Sequence, residues 1–128
     1  MRETEFFTIK NTTKGKLPSL PFVSMKSAIL GEKYELSVGF LTAKQQREIN
    51  QKYRDINKTT NILSFPLSKK SGEITFDLAK VKKDAPLFDM SYPRFLKYLF
   101  IHGLLHLKGY DHSAIMEGKE KKYMKMFS

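Results

Sequence analysis

The chain has 128 residues and no cysteine, and its 23 Lys and Arg residues outnumber its 13 Asp and Glu residues to give a formal net charge of +10. This length predicts one domain with a real hydrophobic core, and the absence of cysteine excludes a disulfide framework and any thiolate metal site. The positive charge favours a polyanionic partner, most commonly nucleic acid, over the alternative of a basic surface that binds nothing.

The first half of the chain alternates short strands with helices. In chain order the pattern predicts an edge or first strand over residues 4–9, a helix over 21–30, a strand over 35–41 and a helix over 42–57. Thr42 followed three residues later by Gln45 predicts a capping box at the start of the second helix.

The second half predicts a hairpin followed by two helices. The pattern favours strands over residues 62–67 and 73–78, an irregular segment over 79–90, and helices over 92–107 and 113–127. The strand–helix–strand order over 35–67 predicts a parallel pair of strands, and the short connection at 68–72 predicts an antiparallel hairpin. We therefore expect an α+β fold in a single domain spanning residues 1–128, with a mixed sheet of mostly short strands packed against helices.

The helix over 92–107 is apolar nearly all round, which is typical of a central, buried helix. Ser91 followed by Pro93 is a favourable helix start. Arg94 and Lys97 interrupt this most apolar stretch, and the N-terminus lacks the apolar segment of a signal peptide. We therefore expect a cytoplasmic protein with no membrane partner.

All three histidines of the chain lie in the segment HGLLHLKGYDH, which covers residues 102–112. His102 and His106 project from one face of a helix, one turn apart. Gly109 stands where the helix can end in a left-handed turn, which lets the chain bring His112 back toward the other two. Three neutral imidazoles leave one position of a tetrahedral zinc ion open, so the pattern predicts one catalytic zinc ion per chain.

Two other functions remain open for this segment. Its spacing matches the long zinc-peptidase signature, but that signature has a glutamate general base where this chain has Gly103, so peptide hydrolysis is disfavoured. A zinc hydrolase acting on another substrate class remains an alternative. A non-catalytic, ribosome-associated RNA-binding factor with a structural zinc is the other, and it would need a fourth ligand.

A second segment, RDINKTTNILSFP, covers residues 54–66 between a helix end and a strand. The guanidinium fork of Arg54 suits bidentate contact with a phosphate, although a solvated helix residue is the simpler interpretation. Together, HGLLHLKGYDH and TNILSFP, with the arginine that precedes them, closely resemble the signatures of the YbeY family of bacterial metal-dependent endoribonucleases. The match holds at every fixed position of the histidine motif.

The resemblance implies that His102, His106 and His112 bind zinc and that Arg54 is the functional arginine. It also implies cleavage of single-stranded RNA, maturation of the 3′ end of the 16S rRNA precursor, and quality control of the small ribosomal subunit. Asn61 and Ser64, in the TNILSFP segment, are candidates for supporting the ligands or contacting the substrate. No oligomeric state follows from the sequence.

Asp111 and the general base are left with alternatives. Asp111, beside a ligand, could orient an imidazole or could be a turn residue that caps the last helix. The zinc-bound water or the RNA 2′-hydroxyl could do the acid–base work. A group of lysines is expected to hold the RNA backbone, unless each simply lies solvated on a basic rim: Lys69, Lys70, Lys80, Lys82 and Lys83.

Overall fold

The computed structural model describes residues 5–54 and 60–128, with Arg54 described by its backbone alone. Within these described ranges, four strands and five helices follow one another, with a short 3-10 helix between the third and fourth helices. Their bounds are β1 (Phe7–Asn11), α1 (Phe22–Leu30), β2 (Glu35–Leu41), α2 (Ala43–Arg54), β3 (Ile62–Ser68), β4 (Ser71–Asp77), α3 (Leu78–Asp84), the 3-10 helix (Ala85–Phe88), α4 (Tyr92–Lys108) and α5 (Ala114–Met126).

The strands form one mixed sheet in the order β1-β2-β4-β3. β1 pairs with β2 and β2 with β4 in parallel, whereas β3 pairs with β4 as an antiparallel hairpin. The α+β fold, the mixed sheet, the hairpin and the edge position of the first strand are confirmed. The parallel pairing of the strands on either side of α2 is wrong, because β4 lies between them and β3 runs the opposite way.

The edge position of β3 has a physical cause in Pro66. Proline has no N–H to donate to a neighbouring strand, so it is confined to edge strands, first positions and bulges. β4 instead has buried residues on both faces, as an interior strand requires. The strand after α2, β3, therefore takes the edge of the sheet, and the following strand, β4, lies between β2 and β3.

The segment over residues 79–90, predicted to be irregular, is largely helical. Asp77 caps α3 by accepting a hydrogen bond from the backbone N–H of Lys80 at 3.2 Å, and the 3-10 helix follows directly. A helix of seven residues is too short to show the periodicity that identifies longer helices.

α4 lies at the centre of the fold, as predicted. It packs between α1 and α5 and lies against the sheet, and its buried residues are Phe95, Leu96, Leu99, Phe100, Ile101, Gly103, Leu104 and Leu105. Ser91 caps its first turn by accepting a hydrogen bond from the N–H of Arg94, which confirms the predicted start. Among the residues that the structure describes, no helix combines the length and apolar character needed to cross a membrane.

The remaining helix ends follow the sequence closely. The capping box of α2 is present, since Gln45 N–H donates to the Thr42 hydroxyl at 3.2 Å and Thr42 N–H donates to Gln45 Oε1 at 3.0 Å. The predicted end of that helix near residue 57 lies outside the described residues. In α5, Met116 is buried, whereas the adjacent Ile115 is 67% exposed.

Candidate metal centre

The three histidines converge because α4 ends in a tight reversal. Gly109 adopts a left-handed conformation with φ of 110°, and its N–H and that of Tyr110 donate to the carbonyls of His106 and Leu105 at 3.0 and 3.1 Å. These bonds satisfy the last carbonyls of the helix and turn the chain back. The ring of His112 thereby lies 5.0 Å from the ring of His102 and 4.9 Å from that of His106, measured between centroids.

The ring nitrogens are arranged as a metal would need them. One nitrogen from each of the three histidines lies within 4.8 Å of the others, and no carboxylate of the described chain joins this group. The Nε2 atoms of His102 and His106 are 3.1 Å apart. Two nitrogens bound to one tetrahedral zinc ion at its usual bond length lie about 3.3 Å apart. The spacing therefore fits a metal of this size.

The other ring nitrogen of two of these histidines is already bonded. His102 Nδ1 donates to Glu120 Oε2 at 2.5 Å, and His106 Nδ1 donates to the carbonyl of Tyr110 at 3.0 Å. An ionised carboxylate and a carbonyl can only accept, so each ring in its neutral form carries its hydrogen on Nδ1. In that form the two Nε2 lone pairs face each other, an arrangement that is repulsive unless a cation lies between them. The three histidines could therefore hold a metal ion.

Electrostatics keep His106 in the form that binds metals. Burial lowers the pKa of His106 from its ordinary value, and the neighbouring His102 and His112 lower this pKa further. The hydrogen bond to Tyr110 and the charge of Asp111 act in the opposite direction with smaller effect. The neutral imidazole is the ligand form, so this environment favours binding of a metal near neutral pH.

The surroundings of Gly103 disfavour the glutamate that zinc peptidases carry at this position. A Cβ atom at this position would lie 3.0 Å from Cδ1 of Ile62 and 3.2 Å from Cδ1 of Ile74. The helix therefore packs so closely against β3 and β4 that any side chain at this position would require these isoleucines to shift by a few tenths of an ångström. The hydroxyl of Ser64 adds a direct link by donating to the Gly103 carbonyl at 3.1 Å. Because His102 directly precedes Gly103 on α4, this packing sets the distance between His102 and the sheet.

The structure distributes the other predicted site residues differently. Ser64 lies behind the centre, and Asn61 donates from Nδ2 to Asp84 Oδ2 at 3.1 Å, which ties the start of β3 to α3. Asp111 is exposed in the turn, and α5 is capped by Ser113, which accepts from the N–H of Met116 at 3.2 Å. The capping role considered for Asp111 is therefore wrong. Arg54 is the last residue of α2, and the prediction for its side chain lies outside the described residues.

Glu120, the carboxylate that contacts His102, was not among the site residues predicted from the sequence. Glu120 is 7% exposed and lies on α5, far along the chain from His102. A signal was present in the spacing, because Glu120 falls four residues after the buried Met116 and four before Met124. Residues at these intervals share one face of a helix, so an acid on the packing face of α5 was a candidate for a partner inside the fold.

Comparison with known proteins places this site in a family. The family model described as endoribonuclease YbeY matches residues 6–128. Relatives of that name are 33% identical in Caldanaerobacter subterraneus subsp. tengcongensis, covering 73% of each chain, and 30% identical in Clostridium botulinum, covering 90% of this chain and 88% of the relative. The solution structure of TM1509 from Thermotoga maritima is 28% identical, covers 93% of this chain and 87% of that chain, and superposes with a TM-score of 0.65. The chain therefore belongs to the endoribonuclease YbeY family, and it is a hydrolase of the nuclease class, acting on phosphodiester bonds.

Proposed function

We propose that residues 1–128 form one domain that acts as a zinc-dependent, single-strand-specific endoribonuclease. In this proposal the enzyme works in the cytoplasm on the small ribosomal subunit, where it matures the 3′ end of the 16S rRNA precursor and takes part in ribosome quality control. The observation that carries the proposal is the convergence of three histidines whose available nitrogens face one another. Membership of an endoribonuclease family supplies the reaction class.

In this proposal His102, His106 and His112 hold the metal through ring nitrogens and add no charge to it. When bound, zinc supplies a Lewis acid that lowers the pKa of water and attracts a phosphodiester. Glu120 and the Tyr110 carbonyl keep the Nδ1 hydrogens of two of the rings in place. His112 is exposed, so the centre is open to a large substrate on that side.

Arg54 is assigned the stabilisation of charge that builds on the non-bridging phosphoryl oxygens. A guanidinium that acts there accounts for several kcal/mol of transition-state stabilisation, about 2.7–4 kcal/mol by analogy with an oxyanion-hole donor, whereas a solvated one accounts for almost none. Asn61 and Asp111 remain candidates for contacts with substrate or ligand.

The RNA backbone is assigned to exposed lysines on the β3–β4 hairpin and on α3. Lys69, Lys70, Lys82 and Lys83 are exposed, whereas Lys80 is already paired with Asp84 at 3.1 Å. Contacts of this kind release counterions, so binding should weaken steeply as salt rises. We expect Lys80 to contribute less than the four exposed lysines.

The test is cleavage of an RNA fragment that carries the 3′ end of 16S rRNA. His106→Ala and Arg54→Ala are compared with the unchanged protein and with Arg47→Ala, which removes an exposed arginine from the same helix α2. Each protein is purified identically, treated with chelator and then resupplied with zinc.

We expect the unchanged protein and Arg47→Ala to cut only after zinc is restored, and the two site variants to remain folded but inactive. Equal cutting by all four proteins would indicate a contaminating nuclease and remove the support for this mechanism. If none cuts although the unchanged protein binds zinc and RNA, the ribosome-associated factor becomes the better description.

A further inference from the structure

A tyrosine and a carboxylate adjoin the metal centre on the side of His102. The ring of Tyr98 lies one helical turn before His102 and stacks on it at 6.1 Å between centroids. Tyr98 and Glu120 line the same cavity, and Glu120 accepts from His102 Nδ1. Burial of Tyr98 and the negative charges of Glu120 and Glu117 raise the pKa of the phenol, so Tyr98 stays protonated and has a hydrogen to offer a carboxylate beside it.

We propose that Glu120 is the positioning residue of this centre and that Tyr98 holds it in place. The inference rests on the proposed metal site and adds a function for two residues outside the histidine motif. By accepting the Nδ1 hydrogen, Glu120 fixes the tautomer and the ring orientation of His102 and leaves Nε2 free to bind. His106 Nδ1 bonds only to the uncharged carbonyl of Tyr110. A carboxylate therefore holds the ring of His102, and a backbone carbonyl holds the ring of His106.

Glu120 does not act as a fourth ligand. Its oxygen contacts Nδ1, whereas the nitrogen of His102 that faces His106 is Nε2 on the other side of the ring. The fourth coordination position is therefore left open by the described carboxylates. This distinguishes the centre from a closed structural site, in which four protein groups surround the ion.

The charge of Glu120 suits a cation on the far side of the His102 ring. The carboxylate is buried, and in the part of the chain that the structure describes no lysine or arginine forms an ion pair with it, although Arg94, Lys121 and Lys125 line the same cavity. A buried carboxylate is stabilised by positive charge. A divalent cation one imidazole away would add such charge, so the metal and Glu120 would stabilise each other.

Glu117 provides a matched control. It lies one turn before Glu120 on α5 and lines the same open cavity of about 550 Å³ beside Tyr98. It is exposed, and none of its described contacts is with a histidine. Glu117→Gln therefore removes the same charge from the same helix without touching the metal centre.

The experiment combines two readouts on the full chain. The tautomer of His102 is read from side-chain ¹⁵N shifts of the metal-free protein at about pH 8, where imidazoles are neutral. The zinc affinity is read by competition with a chelator, and thermal unfolding verifies the fold. The variants are Glu120→Gln, which keeps an acceptor and removes the charge, Glu120→Leu, which removes both, and Tyr98→Phe.

We expect the hydrogen of His102 on Nδ1 in the unchanged protein and in Glu117→Gln, and partly on Nε2 in Glu120→Leu. Zinc affinity should fall about 10- to 100-fold in the two Glu120 variants, less in Tyr98→Phe, and not in the control. Unchanged affinity and an unchanged tautomer in a folded Glu120→Leu protein would overturn the inference. Absence of zinc binding by the unchanged protein would instead overturn the proposed function, and the tautomer would then decide the inference by itself.

Discussion

Replacing Gly103 by alanine measures how closely α4 lies against the sheet. In an open helix this change stabilises a protein by about 1 kcal/mol, because glycine loses more conformational freedom on folding. Here the new methyl group would lie 3.0 Å from Cδ1 of Ile62 and 3.2 Å from Cδ1 of Ile74. Overpacking of this kind costs about 1–3 kcal/mol. The two effects together predict a net loss of about 1 kcal/mol.

Gly118→Ala is the matched comparison. Gly118 lies inside α5, and a Cβ atom there would meet nothing within 4 Å. The same gain in conformational free energy applies without the collision, so this variant should be more stable than the unchanged protein by about 0.5–1 kcal/mol. The difference between the two variants then isolates the crowding beneath His102.

Urea unfolding followed by far-UV circular dichroism gives both values. A change of 1 kcal/mol moves the midpoint by roughly 0.5–1 M for an m-value of about 1–2 kcal/mol per M. The midpoint should fall for Gly103→Ala and rise for Gly118→Ala. A rise of the same size in both variants would refute the close packing of Gly103. It would also reopen the possibility that a glutamate fits at that position.

Three further results are expected. Ser64→Ala should lower stability by about 1 kcal/mol in urea unfolding, because it removes the link to the Gly103 carbonyl; an unchanged midpoint would contradict that link. Zinc at about 100 times its dissociation constant should stabilise the unchanged protein by about 2.7 kcal/mol in thermal unfolding, and it should not stabilise His106→Ala. An equal rise of the melting temperature in both proteins would place the ion elsewhere. Burial lowers the pKa of Lys26 from 10.5, and the charge of Glu32 partly opposes this shift. Just below pH 10.5 the unfolded state therefore binds more protons than the folded state, and the free energy of unfolding rises as the pH rises. Lys26→Met should lack this rise, and parallel pH profiles for the two proteins would contradict the lowered pKa of Lys26.

The histidine cluster could be predicted because its geometry is local. The interval between His102 and His106 is set by the helical repeat, and the return of His112 is set by one left-handed glycine. Both are readable from adjacent residues. Glu120 could not be placed in the same way, because its contact with His102 depends on how α5 docks against α4.

The order of the strands was harder to predict than the strands themselves. The residues of β2 and β4 predicted each strand from its own sequence, but the neighbour of each strand depends on the whole sheet. Pro66 held the relevant information, since it excludes β3 from an interior position. Pro66 lies within β3 and marks it as an edge strand.

Gly103 joins the packing of the fold to the chemistry of the site. A glutamate at this position serves zinc peptidases as the base that takes a proton from water. Here the residue is a glycine whose surroundings are crowded by Ile62 and Ile74, so no base comes from the helix position next to His102. The proton must instead pass to a group on another element, to solvent or to the substrate. RNA brings a 2′-hydroxyl beside each phosphate and peptides do not, so the packing that removes the peptidase base is compatible with cleavage of RNA.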